Sequence, residues 1–386
     1  MSKKIHFLGI GGSGASAVAA IAEAQGFKIT GCDLEPNNEF TTQFNSLLVG
    51  HDPSHLTNID ILATTPAIFS LDPNNPELVA AKEKGIPVMT WQQFLGEYLV
   101  KGKFVIAVAG THGKSTTTAM IAQLLEDARL DPTVELGAIV PKWGSNYRIG
   151  KSKYLVVEAD EFNDNFLHLK PDITVVTNIE MDHPEYFKDF EAVKSSFKKF
   201  LLQTKSTIIA NLADPGVKQT LVLHPKGVNI TIDYSKHLID FPLQIPGQFN
   251  ILNSSAVFQV GLILGIDPAV IKESLQNYKG VGRRFEYIGE YNGAKVYSDF
   301  GHHPTEIEVT INAAREKFPN QKIIMVYQPH MFSRTKALFA DFVKVFQNLP
   351  ADKIFIIDIY PSREIDTGQS TFSFICGICY KNFRKN

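Results

Sequence analysis

The chain has 386 residues, of which 38 are Lys or Arg and 40 are Asp or Glu, giving a formal net charge of -2. A nearly neutral chain has no general affinity for polyanions, so we expect no nucleic-acid partner. No apolar run approaches the roughly 20 residues of a membrane helix, and three cysteines exclude a disulfide framework. We therefore expect a cytoplasmic protein of two or three domains without a membrane partner.

The chain opens on a pattern typical of a dinucleotide-binding fold. An apolar strand over residues 4–10 leads into a G-x-G-x-x-G segment and a helix that extends to Gln25. A second strand over residues 29–32 ends at Asp33, which is placed to accept hydrogen bonds from a ribose. The pattern indicates a diphosphate and a ribose at a helix N-terminus, and both NAD and UDP provide these.

A third strand over residues 59–63 brings two threonines to the edge where parallel sheets bind ligands. The threonines fit a ligand contact and a simple turn about equally well. The candidate substrate-binding residues of this first unit are Gly9, Gly11, Gly12, Ser13, Gly14, Asp33, Thr64 and Thr65.

A second glycine turn follows the apolar run of residues 104–109. Gly110 and Gly113 allow a tight turn that aims backbone N–H groups at an anion, and a helix beginning near Lys114 adds its positive end. Lys114 supplies an ammonium for terminal phosphates and Ser115 a hydroxyl that can bind Mg²⁺. The segment therefore predicts an ATP-phosphate loop. Its assigned residues are Gly110, Thr111, His112, Gly113, Lys114, Ser115 and Thr116.

Two further predicted strands deliver acidic groups beside this loop. The strand over residues 154–157 leads into Glu-Ala-Asp-Glu at 158–161, and the strand over 173–177 leads into Asn-Ile-Glu-Met-Asp-His at 178–183. ATP chemistry needs a divalent metal with hard oxygen ligands, and Glu158 is our choice for it. A single histidine is more often a capping or surface residue, so the residues alone leave the role of His183 open.

These motifs resemble those of the Mur ligases, the ATP-dependent amide-forming enzymes of bacterial cell-wall synthesis. The similarity rests on Gly-Thr-His-Gly-Lys-Ser-Thr-Thr at 110–117 and on the two acidic segments, and it covers roughly residues 5–367. In the branch that adds the first amino acid, the first Glu and the final His serve bound metal ions. The resemblance thus implies metal roles for Glu158 and His183, alongside Ser115.

The resemblance also implies further ATP contacts. The segment over residues 246–253 opens a long apolar helix to about Leu264 and places Asn250 and Asn253 in its first turn, where their amides can read an adenine edge or cap the helix. Relatives commonly have His where this chain has Phe249. Arg284 inherits a phosphate contact across the domain junction, and Asp299 is placed for the ATP ribose.

The last segment resembles the amino-acid site of the same branch. Gly-His-His-Pro-Thr-Glu at 301–306 and Gln-Pro-His-x-x-x-Arg-Thr at 328–335 carry the similarity. It implies that His302, His330 and Arg334 receive the incoming amino acid or its carboxylate. Phe300 replaces a Tyr and Met331 replaces a basic residue, so the pocket loses a hydroxyl and a charge.

The expected fold is α/β with three units. They are a Rossmann-like domain over residues 1–100, a central P-loop-type ATPase domain with a parallel or mixed sheet over 101–282, and a truncated Rossmann-like domain over 283–386. The tail from residue 367 does not align with the family, and the pair Cys376 and Cys379 fits incidental cysteines better than a metal half-site.

The resemblance implies a ligase that uses ATP and Mg²⁺ to join L-alanine to UDP-N-acetylmuramate through an acyl phosphate. Lys114, His183 and Arg284 are its expected catalytic residues, in a monomer or weak homodimer. The alternatives are a recycling ligase that attaches a whole peptide, and a truncated, inactive remnant that binds UDP-sugar and ATP. An NAD oxidoreductase would have no use for the glycine turn at residues 110–113. A motor or signalling ATPase would have no use for the glycine turn at residues 9–14.

Overall fold

The structure, a computed structural model, describes residues 2–222, 230–362 and 364. Its strands are β1 Lys4–Leu8, β2 Lys28–Asp33, β3 Leu48–Val49, β4 Ile61–Thr64, β5 Val88–Thr90, β6 Phe104–Ala109, β7 Thr133–Val140, β8 Ser145–Arg148, β9 Tyr154–Glu158, β10 Ile173–Val176, β11 Thr207–Ala210, β12 Ile230–Asp233, β13 Glu286–Tyr291, β14 Ala294–Ser298, β15 Ile324–Tyr327 and β16 Lys353–Ile356. The pair Cys376 and Cys379 lies outside the described residues.

The helices alternate with these strands over most of the chain. They are α1 Ser13–Ala24, α2 Ile68–Leu71, α3 Pro76–Glu83, α4 Trp91–Phe94, α5 Lys114–Asp127, α6 Phe190–Leu201, α7 Pro215–Val222, α8 Gln248–Ile263, α9 Pro268–Gln276, α10 Pro304–Lys317, α11 Phe332–Ala337 and α12 Phe339–Asn348. Short 3-10 turns lie at Pro53–Leu56, Phe162–His168 and Tyr234–Lys236, and a π turn at Leu95–Leu99 extends α4. No helix among the described residues is long and apolar enough to cross a membrane.

The first sheet has the order β3-β2-β1-β4-β5, and all of its strands are parallel. β1 is buried because its apolar side chains are covered on both faces, as in other parallel sheets. The Ala-rich α1 lies close to the sheet since small side chains permit a near approach. Leu8 pairs with Cys32 and Thr64, so the three central strands end at one edge, next to the first glycine turn.

The second sheet has the order β12-β11-β10-β6-β9-β7-β8, parallel except for the antiparallel pair of β7 and β8. β6 is central and buried from Val105 onward, which its unbroken apolar run predicted. Val108 of β6 pairs with Glu158 of β9, and Ala109 pairs with Val176 of β10. The register therefore places the second glycine turn between the two acidic segments.

The last unit is smaller within the described residues. It holds an antiparallel hairpin of β13 and β14 and a parallel pair of β15 and β16. Tyr327 on β15 packs with Phe342 and Phe346 of α12 in a small apolar core. The three units together form the mixed α/β fold predicted from the sequence.

Polar contacts join the three units. The Asn146 side chain donates to the Ser13 carbonyl at 2.6 Å, which connects the central sheet to α1. Arg283 pairs with Glu39 of the first unit at 2.6 Å. The first unit thus contacts both the central unit and the last unit.

Candidate active site

Neighbouring side chains hold the glycine turn after β6 in shape. Gly110 and Gly113 have φ angles of 138° and 83°, in the region that favours glycine. A Cβ on Gly110 would lie 2.0 Å from the Thr177 hydroxyl, so a larger residue does not fit. The Asn178 side chain accepts a hydrogen bond from the His112 backbone N–H at 2.8 Å. The turn thus has the backbone shape of a phosphate-binding loop.

Lys114 begins α5 and turns its ammonium back over the loop. Nζ donates to the carbonyls of Gly110 and Thr111 at 2.7 and 3.2 Å and to Glu161 Oε2 at 2.9 Å. Burial disfavours the charged amine, but the Glu161 charge and two neighbouring carboxylates outweigh it and raise the pKa of Lys114. Lys114 therefore keeps a fixed positive charge beside the loop.

Hard oxygen donors lie next to this ammonium. Glu158 Oε1 accepts from the Ser115 hydroxyl at 3.0 Å, and Oε2 accepts from the Gly137 backbone N–H at 2.8 Å. Thr116, the next residue, is buried in the same helical turn. Glu161 Oε1 is buried with no hydrogen-bond partner among the described residues, so a further oxygen is available. This donor set fits a divalent cation such as Mg²⁺.

His183 lies at the same sheet edge, beyond β10. Ligand atoms of Asp160, Glu161 and His183 lie within 4.8 Å of one another. His183 has a φ of 53°, which is uncommon for a residue with a side chain, and its N–H donates to Asp182 Oδ1 at 2.7 Å. Burial disfavours its charged form, but Glu185 and the other carboxylates raise the pKa of His183 overall. Because Glu161 also pairs with Lys114, the two predicted catalytic residues share one cluster.

Arg334 is almost wholly buried, with 1% of its surface exposed. Its Nε donates to Asp182 Oδ1 at 2.9 Å, and its terminal nitrogens lie 3.4 Å from His330 Nδ1 and 3.5 Å from His183 Nδ1. Burial opposes the Asp182 charge, yet the charges of His183 and Arg334 hold the pKa of Asp182 far below its ordinary value. The guanidinium predicted to receive an amino-acid carboxylate thus pairs with a protein carboxylate and anchors α11 to the loop after β10.

His302 and His330 face each other across a short gap. Their ring centroids are 5.4 Å apart, and His302 Nδ1 lies 2.9 Å from the Phe300 carbonyl. Burial is the main cause that lowers the pKa of His302 to about 4, so its imidazole is neutral near pH 7. The neighbouring Met331 is fully buried. The neutral His302 ring thus lies beside the Glu306 carboxylate, 3.6 Å from its Nδ1, and near the Arg334–Asp182 pair.

His112 connects the loop to the last unit. Its ring nitrogens lie 3.2 Å from Glu306 Oε1 and 3.5 Å from Glu180 Oε2, without the alignment of a full hydrogen bond. Burial disfavours the charged ring, but these two carboxylates raise the pKa of His112 to about 9. The Thr305 hydroxyl donates to Glu180 Oε2 at 2.8 Å. The centroid of the His303 ring lies 4.7 Å from that of the His112 ring. A charged imidazole thus lies between two units.

Arg284 and Asp299 lie at the junction that the sequence predicted. Arg284 NH1 is 3.6 Å from Glu306 Oε1, and its guanidinium carbon lies 5.8 Å from the Phe300 ring centroid. The Asp299 carboxylate accepts from two backbone N–H groups at 2.8 and 2.7 Å. Burial is the main cause that raises the pKa of Asp299. In this structure Asp299 braces the junction loop with both carboxylate oxygens.

The two predicted adenine-reading amides are buried beside the loop. Asn253 Oδ1 lies 3.0 Å from the position of a Cβ on Gly113, directly under the turn. Asn250 donates to the Pro246 carbonyl at 2.7 Å, and α8 has Gly247 as its N-cap with no side-chain cap hydrogen bond, so Asn250 does not cap the helix. Asn250 Oδ1 is buried without a hydrogen-bond partner among the described residues.

The first glycine turn lies at the carboxyl edge of the first sheet. Gly9 has a φ of 79°, and a Cβ there would lie 2.6 Å from Thr65 Cγ2. The Gly11 N–H donates to Asp33 Oδ2 at 2.8 Å, so Asp33 holds the turn itself. Thr64 is buried and donates to the Thr65 carbonyl at 3.2 Å. Thr65 therefore packs against the turn, whereas the Thr64 hydroxyl bonds to the chain next to it.

The turn continues into α1, where Gly12 is the N-cap and Ser13 the first residue. A Cβ on Gly14 would lie 2.2 Å from the Trp91 ring. The third glycine thus permits the close approach of α1 to an aromatic side chain, as the G-x-G-x-x-G pattern requires.

Several residues of the cluster were not singled out from the sequence. Glu161, Asp182 and Glu306 make the closest charged contacts of Lys114, Arg334 and His112. Glu161 and Asp182 stand in segments directly after predicted strands, and Glu306 ends the motif at residues 301–306; those positions were the available signal. Their partners lie far away in the chain, so the individual pairings had no local signature.

Family models cover most of the chain. Residues 4–101 match "Mur ligase family, catalytic domain", residues 108–237 match "Mur ligase middle domain", and residues 283–370 match "Mur ligase, glutamate ligase domain". Two curated relatives carry the same name. The UDP-N-acetylmuramate--L-alanine ligase of Caldicellulosiruptor saccharolyticus is 41% identical, with 94% of this chain and 85% of the relative covered. That of Aquifex aeolicus is 36% identical with the same coverage.

Solved structures agree with this placement. The UDP-N-acetylmuramate-alanine ligase of Thermotoga maritima superimposes with a TM-score of 0.80 at 28% identity, covering 99% of this chain and 89% of that one. The UDP-N-acetylmuramate:L-alanyl-gamma-D-glutamyl-meso-diaminopimelate ligase from Neisseria meningitides gives a TM-score of 0.66 at 27% identity, covering 73% of this chain and 100% of that one. Two glycine turns, an acidic edge and these matches lead to one conclusion: the chain belongs to the Mur ligase family.

Proposed function

We propose that the chain is an ATP-dependent ligase that joins L-alanine to the lactyl carboxylate of UDP-N-acetylmuramate, a step in peptidoglycan precursor synthesis. One observation carries the proposal. Lys114, the Ser115–Glu158 pair and His183 meet at one sheet edge, in a chain 41% identical to a curated UDP-N-acetylmuramate--L-alanine ligase. Because the reaction needs ATP and the chain has three cysteines, we assign it to the reducing cytoplasm.

Each unit takes one substrate in this proposal. Residues 1–100 hold the UDP portion at the first glycine turn, residues 101–282 hold ATP at the second, and residues 283–386 receive L-alanine. Three substrates must meet at one point, and units that close on a shared cleft supply proximity and exclude water. The contacts of Arg283 with Glu39 and of Thr305 with Glu180 support such an arrangement.

The first chemical step makes the carboxylate reactive. The lactyl carboxylate attacks the γ-phosphate of ATP in line, ADP leaves, and an acyl phosphate forms. Lys114 and Arg284 stabilise the charge on the phosphoryl oxygens. Mg²⁺, held by Ser115, Glu158 and His183, would neutralise phosphate charge when bound.

The second step forms the amide. The L-alanine amine attacks the acyl carbon, and phosphate leaves from a tetrahedral intermediate. His302 and His330 form the wall that orients L-alanine. Because His302 is uncharged, its ring does not repel the amine of the substrate. Arg334 lies within reach of both His330 and His183, so it links the amino-acid pocket to the metal cluster.

A recycling ligase that attaches a whole peptide remains the alternative. It is supported by the 27% identical ligase from Neisseria meningitides, whose name includes L-alanyl-gamma-D-glutamyl-meso-diaminopimelate. The motifs at residues 301–306 and 328–335 favour a single amino acid as substrate, since they resemble those of the branch that adds the first amino acid.

The test is incubation of the purified chain with ATP, Mg²⁺, UDP-N-acetylmuramate and one amino acid or the tripeptide at a time, followed by mass detection. We expect ADP release that requires both UDP-N-acetylmuramate and L-alanine, with the amide as product. Product with the tripeptide alone would favour the recycling ligase. ADP release in the absence of both UDP-N-acetylmuramate and an amino acid or peptide would contradict the proposal and favour a simple ATPase.

A further inference from the structure

A second cluster of ligand atoms lies in the first unit, apart from the ATP edge. It consists of His6 on β1, Cys32 on β2, His55 in the 3-10 turn Pro53–Leu56, and Glu77 in the first turn of α3. The proposed ligase reaction uses none of these side chains. His6, Cys32 and Glu77 have no exposed surface. Polar groups buried this deeply need a partner of comparable strength.

The donor atoms converge on one point. His6 Nε2 is 3.1 Å from Glu77 Oε2 and 3.4 Å from Cys32 Sγ. Glu77 Oε1 is 3.1 Å from Cys32 Sγ and 3.0 Å from His55 Nδ1. The four ligand atoms chosen one per residue all lie within 4.8 Å of one another.

These separations suit a tetrahedral metal ion. Ligands at about 2.0–2.3 Å from Zn²⁺ at tetrahedral angles are about 3.3–3.8 Å apart. Four contacts in the cluster, which use both oxygens of Glu77, measure 3.0–3.4 Å, and one ligand atom from each residue fits within 4.8 Å. Two imidazoles, a thiol and a carboxylate form a donor set that zinc accepts and that Mg²⁺ disfavours. The cluster thus differs chemically from the hard-oxygen site beside Lys114.

Two further observations point to a ligand at this place. Glu77 Oε2 is buried, and His6 Nε2, which lies 3.1 Å away, is not aligned for a full hydrogen bond to it. The other ring nitrogen of His6, Nδ1, lies 2.8 Å from the Thr30 hydroxyl. Such an outer hydrogen bond is the usual way in which a protein fixes the tautomer and orientation of a metal-binding histidine.

We propose that His6, Cys32, His55 and Glu77 bind one zinc ion with a structural role. Four protein donors complete a tetrahedral shell and leave no position for a substrate. Binding replaces the thiol proton of Cys32, which is released to solvent. The ion joins β1, β2 and α3, and Cys32 directly precedes Asp33, which holds the first glycine turn. Zinc at this place therefore stabilises the substrate turn without taking part in the chemistry.

The experiment uses Co²⁺ as a spectroscopic substitute for zinc in the full chain after chelator treatment. The chain has three cysteines, so the background is the double variant C376S/C379S, which leaves Cys32 as its thiol. We expect a sulfur-to-cobalt charge-transfer band that saturates at one equivalent of cobalt, whatever further cobalt the oxygen-rich site beside Lys114 takes. C32S in this background should abolish the band. Since Ser is nearly isosteric with Cys, this variant is expected to fold.

Zinc binding is measured in parallel by competition with a chromophoric chelator and by thermal unfolding. Zinc should raise the unfolding temperature by about 3 °C or more, and C32S or H6N should weaken zinc binding at least about 10-fold. H237A is the matched control, because His237 lies in the central unit, outside the cluster, and should leave the band unchanged. A chain that binds no stoichiometric zinc, or a C376S/C379S variant without the charge-transfer band, would overturn the proposal.

Discussion

Buried charges at the candidate site occur as pairs rather than singly. Lys114 pairs with Glu161, and Arg334 pairs with Asp182, each at 2.9 Å. A buried pair adds little net stability, because desolvation offsets most of the attraction, but the loss of one partner leaves an uncompensated charge. Variants at these positions therefore need separate readouts for activity and for folding.

Lys114→Ala should lower the rate of amide formation by roughly 10²-fold or more, since a positive charge that stabilises the phosphoryl oxygens is lost. Binding of UDP-N-acetylmuramate should be retained, because it uses the other glycine turn. Steady-state ADP release and calorimetric binding of the UDP-sugar check the two parts. Lys236→Ala is the matched control, as its side chain is 76% exposed. Turnover that survives in Lys114→Ala would refute the phosphate role of this residue.

Arg334→Ala should destabilise the fold by about 3–5 kcal/mol, because the Asp182 carboxylate would be left buried without its partner. The double variant Arg334→Met with Asp182→Asn should recover part of this loss, since it removes both charges. Denaturant unfolding of both proteins measures the effect. Equal destabilisation of the single and double variants would show that the pair does not act as a unit.

His112 gives the fold a pH dependence with a defined sign. Its pKa is raised from 6.5 to about 9, so its stabilising contribution is complete below pH 6.5 and is lost as the pH rises through 9. The unfolding temperature of the natural chain should exceed that of His112→Gln most at pH 6, and the difference should shrink toward pH 9.5. A difference that grows with pH would contradict the charged state assigned to this imidazole.

At the scale of elements, the strand, turn and helix around the second glycine turn were predictable because their signals are local. The predicted strand over residues 104–109 is β6, and the helix begins at Lys114 as expected. The strands β3, β7, β8, β11, β12 and β13 were not predicted. No residue of β13 is buried, so its sequence has no apolar alternation to indicate a strand. β7 and β8 pair antiparallel at the edge of the sheet, and hydrophobic periodicity does not show which strands pair.

Gly14→Ala should destabilise the first unit by about 1–3 kcal/mol, because the added Cβ would lie 2.2 Å from the Trp91 ring. Gly12→Ala is the matched control in the same turn. Its Cβ would be 3.7 Å from the nearest atom, and its φ of -70° suits any residue. Thermal unfolding compares the two variants. Equal effects would show that the close contact of α1 with Trp91 is not what requires glycine here.

At the scale of the whole molecule, the site exists because three units meet. Asp182 and Arg334 are 152 positions apart in the chain, and His112 and Glu306 are brought together across the central and last units. The residue types were visible in the sequence, since each lies after a predicted strand. Their pairing was not, because it depends on how the units pack. This is also why Asp299 and Arg334, assigned to ligands from the motifs, make protein contacts in the structure.

The central claim is that this chain activates a carboxylate as an acyl phosphate before the amine attacks. The most direct measurement uses UDP-N-acetylmuramate with ¹⁸O in its lactyl carboxylate, together with ATP, Mg²⁺ and L-alanine, and follows the label by mass spectrometry. The account predicts one ¹⁸O atom in each inorganic phosphate released, since the carboxylate oxygen that attacks the γ-phosphate leaves with it. Amide product accompanied by unlabelled phosphate would contradict the account.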